Sequence, residues 1–301
     1  MQIVSGLDYP PHPGLPPFEP LPPAPAYLGV VQEGVLVARA GLWGQGGLGA
    51  IGHFAAVGRE SGVRLLRAAC ECLRQQGCAR AVAPLDGSTW FGYRWVVETS
   101  DEPPFLLEPR NPLEYADWAR EAGFTAWQTY RSTLHTAHVP DPRATELEAR
   151  FARLGLRHPV PRTLEADLRG IHALSNAAFV GNPLFSPLDW PAFEALYRPL
   201  LSRVPPEWVW VAEDGGRTVG FLLSLPDPTQ PGTLIAKTLA IAPGREYAGL
   251  GRWLAECFYR QAFGAGFRRV IHALMWESNR STNLQGHGRV IRRYALFARE
   301  L

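Results

Sequence analysis

Gly249 and Gly251 stand between an apolar stretch at 233–242 and a helical stretch at 250–263. A strand that ends in a glycine-bearing turn and enters a helix is an anion site. The first helical turn leaves N–H groups without partners, and the aligned peptide dipoles place partial positive charge there. Glycine lets the backbone come close to a diphosphate. Arg245 and Arg252 flank the turn with charged donors. The chemistry implied is capture of a phosphorylated cofactor. The sequence carries no Ser-His-Asp or Cys-His signature of covalent catalysis, and His135 and His138 lack a third ligand, so no metal site is expected.

The surrounding elements decide which cofactor. Residues 208–213 and 217–225 read as a hairpin across Asp214-Gly215-Gly216. Two helices precede it, at 168–180 and 187–201, after a strand at 162–167. Behind the glycine turn come the helix, a glycine break at Gly264-Ala265-Gly266, a strand at 268–275, a short helix near 279–286 and a strand at 289–299. A doubly wound nucleotide fold would need repeated parallel βαβ units and an acidic residue about twenty positions after the glycines. A glycine-rich exit and a basic strand follow instead.

The segment LAIAPGREYAGLGRWL (239–254) resembles the acyl-CoA signature of the GNAT acetyltransferase superfamily: an apolar strand, a proline, a loop with two small positions, and a helix. Asn279 matches the asparagine found after the next strand. Glu246 stands where the motif has Gln or Arg, and Ala248 where a basic residue is frequent. The resemblance implies acetyl-CoA, or another short acyl-CoA, as the cofactor. It implies Leu239, Ala240, Ile241, Arg245, Glu246, Tyr247, Ala248, Gly249, Leu250, Gly251, Arg252 and Asn279 as its contacts. It also implies direct attack by an amine, with a base for the ammonium and an acid for the thiolate. The family's tyrosine on the last helix is missing, with Gly286 near its place, so His287 and Tyr294 are the candidate acids. His272 reads as a core histidine with its hydrogen bonds satisfied. Phe185 and Trp190 belong to the aromatic-rich helices expected to build the acceptor pocket. The alternative activity is an acyl-CoA sensor or scaffold without catalysis.

The halves share a unit. Gly58-Arg59-Glu60, a helix, Gly77 and a strand answer to Gly244-Arg245-Glu246, a helix, Gly266 and a strand, which reads as an internal duplication. The fold class expected is α+β. Two tandem GNAT-like domains are expected, each a mixed, mostly antiparallel sheet flanked by helices, with the N-terminal copy truncated. The segments are a Pro-rich arm at 1–26, a degenerate domain at 27–140, a connector at 141–160 and the acyl-CoA-binding domain at 161–301. In the first copy, residues 27–43 read as two strands, 51–57 and 79–85 as strands, 61–76 as a helix, 87–110 as a long loop, and 124–135 as a strand. Asn111 is placed as the N-cap of a helix ending at Gly123.

Composition bounds the partners. The 301 residues are 46% apolar and 19% charged, with a net charge of +2. That is a globular composition without a charge block for nucleic acid or an anionic membrane. No signal peptide and no span of about eighteen apolar residues is visible, so a cytoplasmic protein is expected. Cys70, Cys72, Cys78 and Cys257 read as free thiols in a reducing compartment. The acceptor is expected to be a small amine or a peptide, and the chain a monomer or homodimer.

Overall fold

The computed structural model describes residues 1–278 and 288–301. The chain folds as two compact units. The first comprises Met1–Ser100, Glu108–Tyr130 and Arg292–Leu301, and the second Asp101–Leu107 and Arg131–Ile291. This differs from a division at 140–161, because the units interleave in sequence. The C-terminal residues pair antiparallel with strands of the first unit, Phe297 opposite Ala83 and Arg292 opposite Thr99. Backbone pairing, not chain order, assigns them.

In the first unit, β1 (Gln2–Ser5), β2 (Ala26–Gln32), β3 (Val35–Gln45) and β4 (Leu48–Ala56) form an antiparallel meander. Helix α1 (Arg59–Gln75) follows and buries Val63, Leu65, Leu66, Ala69 and Leu73 as one face. That spacing is the helical period legible in the sequence. β5 (Arg80–Ala83) then pairs parallel to β4. β6 (Trp95–Thr99) lies inside the stretch expected to be loop. Helix α2 (Tyr115–Glu121) starts later than expected, with Glu114 as its N-cap. Asn111 instead spends its side chain on the backbone of Val96, taking the N–H at 2.8 Å and donating to the carbonyl at 3.1 Å.

The Pro-rich segment is bound rather than loose. Its start is the strand β1, so order begins well before Tyr27. Arg39 donates to the carbonyls of Pro16 and Pro17 at 2.7 and 3.1 Å, and His53 Nε2 lies 2.8 Å from the carbonyl of Pro22. Proline carbonyls are free to accept because the segment forms no ladder.

β7 (Thr125–His135) and α3 (Ala144–Phe151) lead to β8 (Gly155–Arg157). The strand expected at 162–167 is not there: residues 161–163 form a helical turn, and α4 (Leu164–Ala178) begins at once. β8 supplies the edge strand from within the expected connector, pairing with β9. In the second unit the strand order is β8, β9 (Val209–Asp214), β10 (Arg217–Pro226), β11 (Thr233–Ile241) and β12 (Arg269–Trp276). Gly215 and Gly216 take positive φ in the β9–β10 turn, as a two-residue hairpin loop requires.

Helix α5 (Trp190–Leu201) is capped by Asp189, whose carboxylate accepts the N–H of Ala192 at 3.0 Å. α4 and α6 (Leu250–Gly264) pack against opposite faces of the sheet. A Cβ on Gly170 of α4 would sit 2.2 Å from Thr218, so only glycine permits that approach. The next residue, Val219, packs with Leu250 and Leu254 of α6. β13 (Arg289–Glu300) ends the chain.

The four cysteines are free. Burial pushes the thiols of Cys70 and Cys257 up to about 11 each, which leaves them as unreactive thiols.

Candidate functional site

The duplication is visible in hydrogen bonds. Gly47 and Gly232 precede β4 and β11 with positive φ. The carbonyl of Gly47 accepts the N–H groups of Ala79 and Arg80, and that of Gly232 accepts those of Arg268 and Arg269. Each helix exits through a glycine of positive φ, Gly77 or Gly266. β4 and β11 are also both bulged, against Ala40 in one case and at Lys237 in the other. What separates the copies is what lies beside the bulge.

In the second unit, β11 and β12 pair in parallel from Thr233 and Arg269 to Ala236 and His272, and then part. Among the described residues, Leu239, Ala240 and Ile241 keep partners on β10 only, at Leu222, Phe221 and Gly220. Their other edge faces the opening. An unpaired strand edge inside a protein is a template for an extended ligand. The bulge at Lys237 re-aims the backbone where the strands part.

Beside the parting strands is a small cleft, with a cavity volume of about 10 Å³, lined by Leu222, Ala236, Thr238, Leu239, His272 and the α6 residues Ala255, Phe258 and Tyr259. Two polar atoms there have no partner among the described residues, His272 Nδ1 and the Tyr259 hydroxyl. The expectation of a satisfied core histidine is thus overturned. His272 is 8% exposed and Tyr259 1%, and buried polar groups left unpaired point to water or ligand. Burial, and secondarily the nearby His135, pulls the His272 imidazole down to about 4, so it is neutral at pH 7. Burial also raises the phenol of Tyr259. Tyr259 is not legible from sequence as a site residue, because an aromatic on an amphipathic helix has the spacing of any core residue.

At the far end of β11 the chain enters α6. Gly249 is the N-cap with φ +97° and ψ −13°, and no side chain caps the helix. That left-handed conformation favours glycine. Among the described residues, the N–H groups of Gly249, Leu250, Gly251 and Arg252 have no acceptor in the chain. Gly251 is less constrained: an added Cβ would make ordinary contact with Ile241 at 3.4 Å.

The other residues of the loop divide. Arg245, Glu246 and Ala248 are exposed. Glu246 folds back so that its carboxylate lies over Gly244, 2.6 Å from where a Cβ would be. Arg252 pairs with Asp141 at 3.0 Å. Tyr247 does not reach the loop surface. Its ring is 4% exposed, its hydroxyl donates to Asp214 at 2.9 Å, and Arg217 donates to that hydroxyl at 2.9 Å. Leu250 is likewise core, at 1%. These two anchor the loop; they do not present side chains to a ligand.

Tyr294 is not in this cleft. It belongs to the first unit, fully buried, with its hydroxyl donating to Glu108 at 2.7 Å and Arg292 on the same carboxylate at 3.1 Å. His287 and Asn279 lie outside the described residues. Phe185 and Trp190 sit in an aromatic cluster: Phe185 meets Phe179 edge-on at 6.0 Å, and Trp190 meets His172 at 5.6 Å. The Arg169 guanidinium lies 4.2 Å from the Trp190 ring centre. Both aromatics remain half-exposed.

In the first unit the chain fills its own opening. β4 and β5 part after Ala50 and Val82. Leu85 then donates to the carbonyl of Ile51 at 3.0 Å, and the Asp86 carboxylate accepts the N–H of the bulge residue His53 at 2.7 Å. A Cβ on Gly52 would lie 2.4 Å from both Asp86 and the Leu85 carbonyl. Burial raises the Asp86 carboxyl, with the His53 N–H working against the rise.

Residues 172–284 match the profile described as the acetyltransferase (GNAT) family. No curated protein is significantly similar in sequence. Among solved structures, a GCN5-related N-acetyltransferase from Sphaerobacter thermophilus is 14% identical with a TM-score of 0.54, over 91% of this chain and 80% of that one. A GCN5-related glucosamine N-acetyltransferase region of a fungal multi-domain β-N-acetylglucosaminidase is 13% identical with a TM-score of 0.56, over 91% of this chain and 33% of that one. These likenesses show the fold: two α+β units of GNAT type.

Proposed function

We propose, from the match of residues 172–284 to the acetyltransferase (GNAT) family, that the protein transfers an acetyl or other short acyl group from coenzyme A to a primary amine of a small molecule or peptide. The observation that carries the proposal is the parting of β11 and β12 beyond Ala236 and His272, next to the uncapped start of α6.

The residues fit such a cofactor. The free N–H groups at Gly249, Leu250, Gly251 and Arg252 suit a diphosphate. The open edge at Leu239, Ala240 and Ile241 suits an extended amide-bearing arm. When bound, acyl-CoA supplies an activated thioester, so the chain needs no nucleophile of its own. The bulge N–H groups of β11 would polarise the carbonyl. His272 and Tyr259, whose polar atoms in the cleft have no partner among the described residues, take the place of Tyr294 and stand beside His287 as our candidates for moving protons. Neutral His272 can accept one, and the Tyr259 hydroxyl can donate one.

The test is thermal unfolding with acetyl-CoA, with NAD and ATP as controls, followed by an amine screen read by thiol release. A ligand at about a hundred times its dissociation constant stabilises by about 2.7 kcal/mol. A shift with acetyl-CoA alone supports the reading, and no shift at millimolar acetyl-CoA removes it. The burial of Tyr294 against Glu108 favours a second reading, an acyl-CoA sensor without turnover. Binding without thiol release across the amine screen would select it.

A further inference from the structure

Helix α3 lies outside residues 172–284, yet it packs on the turn that opens α6. Leu147 and Phe151 share a core with Tyr247 and Leu250. A Cβ on Gly249 would sit 3.1 Å from the Leu147 side chain and 3.8 Å from the Phe151 ring. Arg150 immediately precedes that ring. Its guanidinium carbon is 5.4 Å from the Phe151 ring centre, and one of its Nη atoms donates to the carbonyl of Arg245 at 3.2 Å. Both arginines are exposed.

Their charges are uncommitted, unlike those of their neighbours. Arg143 pairs with Glu146, Arg153 with Asp214 and Arg252 with Asp141. Among the described residues, no carboxylate forms an ion pair with Arg150 or Arg245. Glu146, one turn before Arg150, takes two hydrogen bonds from Arg143, at 2.9 and 2.7 Å, and Arg150 acts on it only through space. Glu246 is folded back over Gly244 and acts through space on Arg153. Two guanidiniums without a carboxylate, held together beside helix N–H groups without acceptors, attract an anion. The planar fork of donors on arginine suits a phosphate.

In the acyl-CoA reading, on which this inference rests, the acyl arm runs along β11 and the diphosphate lies on the start of α6. The nucleotide then leaves the turn on the side away from β11. Coenzyme A carries a phosphate monoester on its ribose, close in the molecule to the diphosphate. We propose that Arg150, with Arg245 beside it, binds that monoester, so that the protein selects acyl-CoA over the dephosphorylated carrier. The connector helix α3 thus reads a part of the cofactor that the glycine turn does not.

The test uses the full chain with two probes, acetyl-CoA and its 3′-dephospho form. Affinities for both are measured by calorimetry on the unaltered protein and on Arg150→Ala, with thermal shift as the first check that either probe binds. Arg150 is exposed, so the variant should fold normally. The unaltered protein should bind acetyl-CoA about tenfold more tightly than the dephospho form, the size of one charge-assisted contact to phosphate. Arg150→Ala should weaken acetyl-CoA toward the dephospho level and leave the dephospho form unchanged. Equal affinity of the unaltered protein for the two probes would overturn the proposal. So would a preference that survives in Arg150→Ala, or a variant that weakens both probes equally, which would put Arg150 on the diphosphate instead. Each of those three results leaves the acyl-CoA reading intact, whereas no thermal shift with either probe would overturn both.

Discussion

Ala236 and His272 are the last partners in the parallel register of β11 and β12. Past them, among the described residues, one strand edge is open and a buried imidazole nitrogen has no partner. In the first unit, the chain following Ala50 and Val82 fills the equivalent space with Asp86. One copy is open and the other is closed by its own carboxylate.

Titration calorimetry with acetyl-CoA should therefore give one site per chain. Asp86→Ala should lower stability by about 1–3 kcal/mol, by leaving the N–H of His53 unpaired, without adding a second site. Two sites in the unaltered protein would show that the Asp86 plug does not exclude ligand.

The two glycines of the loop should behave differently. Gly249→Ala forces a Cβ into left-handed backbone and should cost about 1–2 kcal/mol. Gly251→Ala meets only ordinary contacts and replaces a helical glycine, so the free protein should gain about 0.5–1 kcal/mol. Its acetyl-CoA affinity should nevertheless fall if a diphosphate approaches that backbone. Urea unfolding and calorimetry on the two variants separate these effects.

The His272 imidazole sits at about 4 in the folded protein, below its ordinary 6.5. Between those values the unfolded chain binds the extra proton, so stability falls as pH drops from about 6.5 toward about 4, and below that range this group adds no further slope. His272→Leu should flatten the acid limb of a Tm-against-pH curve in that window. In a transfer assay the same variant should lose turnover while keeping acetyl-CoA binding. An unchanged kcat would remove His272 from the proton path.

Tyr294→Phe removes a buried hydrogen bond to a carboxylate and should cost about 1.5–3 kcal/mol. Acetyl-CoA affinity per folded molecule should not change, since Tyr294 belongs to the first unit. A selective loss of binding or turnover at unchanged stability would return Tyr294 to the candidate site.

Local features of the site were legible in the sequence, and its polar lining was not. Glycine spacing announced the turn at Gly249, because left-handed backbone selects for residue type within one position. The α1 face and the β9–β10 hairpin were legible for the same reason: period and turn chemistry are short-range. His272 and Tyr259 were misread or missed. Whether a buried polar atom finds a partner depends on residues far away in sequence.

Sequence alone determined the duplicated unit, the α+β class and the glycine turn that opens α6. Tertiary structure alone decided that the C-terminal strand serves the first unit and that Tyr294 is spent on Glu108. It also decided that Asp86 closes one copy while the other stays open. Those outcomes turn on strand pairing and on which carboxylate reaches which N–H. Such contacts join residues as distant as Glu108 and Tyr294, and no local pattern encodes them.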